Sequence, residues 1–225
     1  MPLAEQRDPK AAAPQAAAAS DAASAVTPSA LNPPNIITLS RLLLAVFLFW
    51  LIDGGSHWLA ACLVFLIAAA TDALDGFIAR RYGMVTKIGR ILDPFVDKVI
   101  IGGAFLFLAV HRDSAGVADS GVNAWMVIIV IGREMFVTSL RSVLEQEGKD
   151  FSAIMSGKIK MVVQCAAVAG SLMYLEYSRG AEASEKSLTI ARNVRDVLLW
   201  SSVAVTLYSG YEYVVRAARM FRSRG

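Results

Sequence analysis

The chain has 225 residues, of which 56% are hydrophobic and only 18% are charged. Soluble domains average about 45–50% apolar and about 25% charged residues, so this composition argues against a soluble domain and favours an integral membrane protein. The formal net charge is +3 and the isoelectric point is near 8.9. This basicity suits a surface of anionic lipid headgroups, and nothing in the sequence predicts a nucleic-acid partner.

The first predicted segment is a disordered tail over residues 1–31. It is rich in Ala, Pro and Ser and poor in bulky apolar side chains, a composition that cannot bury enough surface to fold. Its acidic residues Glu5, Asp8 and Asp21 are unlike a transit peptide, and it lacks the basic start and apolar core of a signal peptide. We expect no cleavable targeting segment, and we expect residues 32–225 to form a single membrane domain.

Six uncharged apolar runs follow the tail. Each is shorter than the roughly 20 residues that a helix needs to cross a bilayer, but each reaches that length when it is extended through its polar flank. By length alone, the runs could also be the buried helices of a soluble bundle, but the placement of charge argues against that alternative. They occupy residues 42–52, 58–71, 99–110, 122–132, 161–175 and 197–211.

Lysine and arginine segregate into alternate connections between these runs. By the positive-inside rule, this pattern predicts an all-α polytopic membrane protein with six transmembrane helices and both termini in the cytoplasm. We expect it in the inner (cytoplasmic) membrane, surrounded by membrane lipids. The cations concerned are Arg80, Arg81, Lys87, Arg90 and Lys98, then Arg141, Lys149, Lys158 and Lys160, and finally Arg216, Arg219, Arg222 and Arg224.

Four aspartates lie between the second and third runs, on the side predicted to face the cytoplasm. Helical rotation of about 100° per residue places Asp72 and Asp75 on one face of a helix, and Asp93 and Asp97 on one face of the next. Four facing carboxylates repel one another unless a cation lies between them, and hard divalent ions prefer oxygen ligands. The aspartates therefore predict a site for Mg²⁺ or Mn²⁺.

The residues around the aspartates form the pattern D-x-x-D-G-x-x-A-R, then eight residues, then G-x-x-x-D-x-x-x-D. Gly76 and Ala79 lie about one helical turn apart and would let a bulky polar group approach the backbone, as would Gly89 before the next helix. Arg80 supplies a fixed positive fork that suits phosphate oxygens. Metal ions, space and an arginine together indicate a nucleotide-diphosphate donor.

This pattern resembles, at all eight defined positions, the signature of the CDP-alcohol phosphatidyltransferase family. The resemblance implies a six-helix membrane enzyme, usually a homodimer, which moves a phosphatidyl group from a CDP-linked lipid to an alcohol and releases CMP. It implies that two divalent cations are held by four aspartates, of which Asp93 and Asp97 are the catalytic pair and Asp97 the candidate general base. The implied metal ligands are Asp72, Asp75, Asp93 and Asp97, and the implied CDP pocket is Gly76, Ala79, Arg80 and Gly89.

Basic residues at two further helix ends point to the acceptor. Arg133 and Arg141 lie at the end of the fourth predicted helix, and Lys158 and Lys160 open the fifth. Positive groups from two helix ends form a pocket for an anion, and phosphate is the compact anion that suits them best. Ordinary positive-inside topology explains the same four residues without any ligand.

Three stretches are similar to the phosphatidylglycerophosphate synthase branch of the family: P-N-x-x-T-x-x-R, R-E-x-x-x-x-x-L-R and G-K-x-K. This similarity implies CDP-diacylglycerol as donor and glycerol 3-phosphate as acceptor. Arg141 and Lys158 would then grip the acceptor's phosphate, with Arg133 and Lys160 in support. Asn35, Thr38 and Arg41 would line the cytoplasmic mouth near the nucleotide, Asn35 and Thr38 on the CDP side and Arg41 towards the acceptor's phosphate.

Other acceptors and another class of protein stay open. Met161 follows the G-K-x-K stretch where threonine is common in that branch, so a cardiolipin synthase that uses phosphatidylglycerol, or an inositol-phosphate enzyme, is an alternative with the same chemistry. A cation transporter is the alternative of a different class, because carboxylates in membrane helices often mark ion pathways. A transport site, however, would lie near the middle of the bilayer and would not need Gly76, Arg80 and Gly89.

Overall fold

A computed structural model describes residues 33–82, 87–112, 116–117, 119–146, 155–180 and 184–222, which all belong to one compact unit, Pro33–Gly225. Within its helices, the side chains of residues 33–35, 72–82, 87–91, 93 and 221 lie outside the described set. Every regular element in the described ranges is a helix, which confirms the predicted all-α class. The helices are α1 Pro33–Gly54, α2 Trp58–Tyr82, α3 Lys87–Val110, α4 Ala124–Gln146, α5 Met155–Ser178 and α6 Glu185–Arg222.

Each helix overlaps one of the predicted apolar runs and extends it through a polar flank, although α4 begins two residues after the start of the run 122–132. The turn between α1 and α2 depends on Gly55, whose φ of 59° is the left-handed conformation that commonly ends a helix. Its amide donates to the carbonyl of Ile52 at 3.1 Å. A side chain at Gly55 would also meet the ring of His111. At the start of α4, Asn123 Oδ1 accepts a hydrogen bond from the Met126 amide at 3.0 Å and caps the helix.

The helices alternate in direction and pack around a common apolar core. Helix α1 contacts α2 and α3, α2 contacts α5, α3 contacts α4 and α5, and α6 contacts α4 and α5. Leu48, Phe65, Phe105, Leu172 and Leu199 are fully buried in the core and come from five different helices. A smaller apolar cluster joins α4 to α6. We call the end where α3 and α5 begin, and where α2, α4 and α6 end, the aspartate end, and the other the far end.

Large apolar side chains cover the outside of the bundle. Trp50, Trp125 and Trp200 are 65%, 74% and 60% exposed, and Leu63 and Val162 are also exposed. Such a surface would be costly in water and is favourable in lipid. Among the described residues, Ile36–Gly54 and Met155–Ser178 are long and apolar enough to cross a bilayer, and Trp58–Thr71 is a shorter apolar stretch. These features indicate an integral membrane protein, while six spans and the orientation of the termini stay predictions.

Helix α6 is the longest element, with 38 residues. At 1.5 Å per residue it is about 57 Å long, which exceeds the roughly 30 Å hydrocarbon core of a bilayer. Near the far end, Arg195 is buried and its Nη1 donates to the carbonyl of Asp119 at 2.6 Å. Its Nε and Nη2 donate to Asp196 Oδ1, and its guanidinium lies 4.2 Å from the centre of the Tyr174 ring. These contacts tie α6 to α5 and to the segment before α4.

Candidate active site

A cavity of about 340 Å³ opens at the aspartate end, and we call it the basic cavity. Four helices contribute to its wall, so its shape depends on the tertiary packing rather than on any one segment. Of the five cations predicted to bind the acceptor's phosphate, four line it, together with one of the predicted metal ligands. Its polar lining includes Asp97 and Lys98 from α3, Arg133, Glu134 and Arg141 from α4, Lys158 and Lys160 from α5, and Tyr213 from α6.

A second, smaller cavity of about 50 Å³ lies beside it, and we call it the inner chamber. Asp97, Lys98, Glu134 and Lys160 line both spaces. The inner chamber continues past them to Gln164 on α5 and to apolar side chains of α3 and α4. A water molecule needs about 10–15 Å³ of such volume, so this chamber admits a few small groups only.

Glu134 is the centre of the charge network between the two cavities. Its Oε1 accepts a hydrogen bond from Arg133 Nη1 at 2.8 Å and another from Lys160 Nζ. All three side chains are largely buried, with exposures of 9% for Arg133, 19% for Glu134 and 8% for Lys160. Arg133 Nη2 also donates to Ser209 Oγ at 2.6 Å. Two of the four predicted acceptor cations therefore share an internal carboxylate.

The other two cations are held differently. Arg141 Nη2 donates to Tyr213 Oη at 3.5 Å, a long contact, and its buried Nε has no hydrogen-bond partner among the described residues. Lys158 is exposed at the cavity, and no described residue forms an ion pair with it. An incoming anion would therefore meet the positive charge of these two side chains, together with that of Lys98, for which no described ion pair is found either.

Asp97 is the predicted metal ligand whose side chain the structure describes. It is half-buried and lines both cavities. A carboxylate oxygen at the mouth of a polar cavity is a suitable ligand for Mg²⁺ or Mn²⁺ and a suitable acceptor for a proton. The donor chemistry of Asp97 therefore fits both roles predicted for it. Both roles stay predictions, because the side chains of Asp72, Asp75 and Asp93 lie outside the described set.

The backbone carries the rest of the predicted signature on the expected elements. Residues 72–80 lie within α2, and residues 89–97 lie within α3, so the two pairs of aspartates occupy successive helices. Pro94 follows Asp93 inside α3 and has no N–H. The backbone carbonyl of residue 90 therefore lacks its usual helical hydrogen-bond donor. The described set does not include the surroundings of the predicted CDP pocket. This applies to the side chains of Ala79, Arg80 and Asn35 and to the contacts of Gly76 and Gly89.

Thr38 and Arg41 lie on α1 and do not line either described cavity. Both are fully buried, with exposures of 1% and 0%. A guanidinium without solvent contact requires polar or anionic partners inside the bundle. Arg41 therefore does not line the basic cavity with the other four predicted acceptor cations, and its predicted contact with the acceptor's phosphate stays untested.

Sequence reasoning missed two polar residues of this region. Glu134 was visible beside Arg133, but its pairing with Lys160 requires two helices to meet. Gln164 is fully buried and donates from Nε2 to Thr206 Oγ1 at 2.9 Å. The sequence does show a single amide side chain near the start of the apolar run 161–175. It was overlooked because an uncharged residue does not interrupt such a run.

Comparison with known families decides the relationship. The profile of the CDP-alcohol phosphatidyltransferase family matches residues 31–208. The chain belongs to this family. Its members generally depend on a divalent cation, which agrees with a carboxylate-lined site. Family membership also agrees with the apolar exterior of the bundle and with an integral membrane protein.

Curated relatives within the family are similar over most of the chain. The CDP-diacylglycerol–glycerol-3-phosphate 3-phosphatidyltransferase of Bacillus subtilis (strain 168) is 34% identical over 197 residues, which cover 81% of this chain and 93% of the relative. The probable phosphatidylglycerophosphate synthase of Mycobacterium tuberculosis (strain ATCC 25618 / H37Rv) is 35% identical over 193 residues, 84% and 82% of the two chains. A transferase of Escherichia coli (strain K12), with the same name as the first, is 33% identical over 159 residues, 65% and 82% of the two chains.

Proposed function

We propose that this chain transfers the phosphatidyl group of CDP-diacylglycerol to glycerol 3-phosphate, which gives phosphatidylglycerophosphate and CMP. The relatives named for this reaction match most of the chain at 33–34% identity. The observation that carries the proposal is the meeting of Asp97 with Arg141 and Lys158 around one cavity, because the reaction needs a proton acceptor beside an anion site.

The reaction requires a hydroxyl oxygen of the acceptor to attack the phosphorus nearest the lipid. A new O–P bond forms, the bond from that phosphorus to the bridging pyrophosphate oxygen breaks, and CMP leaves. The hydroxyl proton passes to the carboxylate of Asp97. Two divalent cations, held by Asp72, Asp75, Asp93 and Asp97, would supply charge neutralisation on the pyrophosphate. The CDP group would lie against Gly76, Ala79, Arg80 and Gly89, with Asn35 and Thr38 on the neighbouring helix α1.

The acceptor's phosphate binds to Arg141 and Lys158. These are the predicted acceptor cations with which no described carboxylate forms an ion pair, and charge-assisted contacts to phosphate are strong. Arg133 and Lys160 contribute less, because Glu134 already accepts hydrogen bonds from both. Their long side chains instead shape the wall between the basic cavity and the inner chamber.

The bundle lies in the cytoplasmic membrane with six spans, and its aspartate end faces the cytoplasm together with both termini. This orientation is supported by the segregation of Lys and Arg to the aspartate end and by the exposed apolar belt between the ends. A cytoplasmic site also gives a soluble, anionic acceptor direct access to the cavity. The protein works as a homodimer, as the family resemblance implies.

CMP release by the purified protein in detergent, with CDP-diacylglycerol and Mg²⁺ or Mn²⁺, tests this proposal. Glycerol 3-phosphate, phosphatidylglycerol and inositol phosphate are compared as acceptors, and chelation of the metal serves as the control. We expect turnover with glycerol 3-phosphate that chelation abolishes. Turnover with phosphatidylglycerol or inositol phosphate alone would leave the role of Asp97 intact and would overturn the acceptor assignment, whereas no CMP release with any acceptor would overturn the chemistry.

A further inference from the structure

Gln164 presents an unused hydrogen-bond acceptor next to the reaction site. It is fully buried on α5, one helical turn beyond Lys160, and it lines the inner chamber. Its Nε2 donates to Thr206 Oγ1 at 2.9 Å, whereas its Oε1 has no hydrogen-bond partner among the described residues. Buried amide oxygens are rarely left without a donor, so an orphan here needs an explanation.

The hydrogen bond to Thr206 fixes how the amide is turned. Nε2 and Oε1 are bonded to the same carbon and point in different directions. Because Nε2 donates to Thr206 on α6, Oε1 is turned away from that hydrogen bond. The inner chamber lies between α5 and the helices α3 and α4. A ligand group that pairs with this oxygen must therefore enter the chamber, must be small, and must be a hydrogen-bond donor.

The charges around the chamber decide what such a donor is. Asp97 and Glu134 line it together with Lys160, and a further cation would have to compete with Lys160 for Glu134. A neutral hydroxyl fits instead, because it brings one donor and no charge. The chamber volume of about 50 Å³ accommodates a hydroxyl and its carbon.

We propose that the inner chamber receives the secondary hydroxyl of the acceptor, which donates a hydrogen bond to Gln164 Oε1. This inference rests on the proposed function. An acceptor with its phosphate on Arg141 and its attacking hydroxyl at Asp97 extends along the wall that the two cavities share. Its middle carbon then lies beside the inner chamber. Gln164 is thus a specificity-determining residue that selects a polyol phosphate with two neighbouring hydroxyls.

Discrimination follows from the cost of leaving the oxygen unpaired. An acceptor without the secondary hydroxyl would fill the basic cavity but leave Gln164 Oε1 buried and without a donor. Sites built to hydrogen-bond a substrate hydroxyl reject analogues without it for this reason. Thr206 is a positioning residue, because it acts only by holding the amide of Gln164 in place.

A comparison of two acceptors with matched variants tests the inference. CMP release is measured with glycerol 3-phosphate and with 3-hydroxypropyl phosphate, which lacks the secondary hydroxyl. We expect the parent enzyme to prefer glycerol 3-phosphate by about tenfold or more in kcat/KM. Gln164→Met keeps the side-chain volume and removes the amide oxygen, so it should lower kcat/KM for glycerol 3-phosphate alone. The ratio of kcat/KM for glycerol 3-phosphate to that for 3-hydroxypropyl phosphate should then approach one. Thr206→Val should reduce the preference partly.

Gln146→Met is the control, since Gln146 is exposed at the end of α4 and should keep the full preference. If Gln164→Met lowers kcat/KM equally for both acceptors, Gln164 has a packing role only and the inference is wrong. The inference is also wrong if the variant keeps the parent's preference for glycerol 3-phosphate while its KM for CDP-diacylglycerol is normal. A parent enzyme that uses neither phosphate would overturn the proposed function and this inference with it.

Discussion

Four of the cations that line the basic cavity were predicted to bind the acceptor, and they differ in what already binds them. Arg133 and Lys160 share the carboxylate of Glu134, while Arg141 contacts the hydroxyl of Tyr213 and Lys158 is exposed. A cation that is already paired gains less from a new anion, since its nearest electrostatic partner is in place. The affinity of the cavity for a phosphate should therefore depend most on Arg141 and Lys158.

Replacement of Arg141 tests this difference directly. Arg141→Ala should raise the KM for glycerol 3-phosphate by at least about tenfold, because a hydrogen bond to a charged group contributes about 1.5–3 kcal/mol. The KM for CDP-diacylglycerol should change little. Arg219→Ala is the control, because Arg219 is exposed on α6 at the same end but does not line the basic cavity. Equal effects of Arg141→Ala on both substrates would contradict the acceptor assignment.

The carboxylate of Glu134 should stabilise the cavity in the absence of substrate, because it neutralises Arg133 and Lys160 as a bound phosphate would. Glu134→Gln leaves two largely buried cations without their carboxylate, and loss of one partner of a buried pair costs about 3 kcal/mol or more. We expect a lower unfolding temperature, and we expect glycerol 3-phosphate to raise it more in this variant than in the parent. Thermal unfolding in detergent, with exposed Glu145→Gln as control, measures both effects. A variant as stable as the parent would show that Glu134 does not stabilise the cavity.

At the level of the helices, α1 packs against α3 at a glycine. Gly103 on α3 faces the ring of Phe49 on α1, and a Cβ at this position would overlap that ring. The ring has little freedom to move, because it stacks on Phe107 with the ring centres 4.9 Å apart. This contact fixes how α3, which carries Asp97, lies against the rest of the bundle.

A pair of alanine substitutions tests this contact. Gly103→Ala should destabilise the protein by about 1–3 kcal/mol through overpacking against Phe49. Gly132→Ala, on α4, should be neutral or stabilising, because no other group lies within 4 Å of the added methyl and alanine favours the helix. Thermal unfolding of both variants in the same detergent measures the difference. If Gly103→Ala unfolds at the same temperature as the parent, the ring of Phe49 moves aside without cost and the contact does not constrain the two helices.

The sequence predicts these helices better than it predicts their ends. Apolar runs located all six, because charged residues separate them. The run 58–71 stops at Asp72, yet α2 continues to Tyr82, since helical hydrogen bonds do not require apolar side chains. Likewise, α6 extends well beyond the run 197–211 in both directions. Hydrophobicity marks the part of a helix that lies in lipid, not the whole helix.

The site was predictable where a motif fixes spacing and unpredictable where two distant segments meet. Arg133, Arg141, Lys158 and Lys160 were identified from local patterns, and they do line one cavity. The contact of Lys160 with Glu134 spans 26 residues of sequence, and that of Gln164 with Thr206 spans 42. No local periodicity encodes such pairs, because they depend on the register between packed helices.

For the whole molecule, the distribution of apolar surface and charge predicts a single orientation in the membrane. Exposed apolar side chains cover the outside of the bundle, and Lys98, Arg133, Arg141, Lys158 and Lys160 line a cavity at the aspartate end. The positive-inside rule then places that end in the cytoplasm. Both donor and acceptor would meet the enzyme from the cytoplasmic side.

Thiol labelling of intact cells measures this orientation. Cys62 and Cys165 are first replaced by alanine, and a cysteine is then introduced at one exposed position on either end, Ser56→Cys or Glu145→Cys. A membrane-impermeant thiol reagent should label Ser56→Cys in intact cells and Glu145→Cys only after permeabilisation. Labelling in the reverse pattern would contradict the orientation, and equal labelling of both in intact cells would contradict a spanning bundle.

The length of α6 has a mechanical consequence. The helix is pinned near the far end by Arg195, which contacts Asp119 and Tyr174, and near the basic cavity by Ser209, which contacts Arg133. The two attachment points are about 21 Å apart along a continuous, stiff rod. A bilayer that is thinner than the apolar part of the helix is accommodated by tilt, because tilt shortens the distance that the helix spans. A tilt of α6 relative to α4 would move Ser209 past Arg133, and it would thereby couple the shape of the basic cavity to the thickness of the membrane.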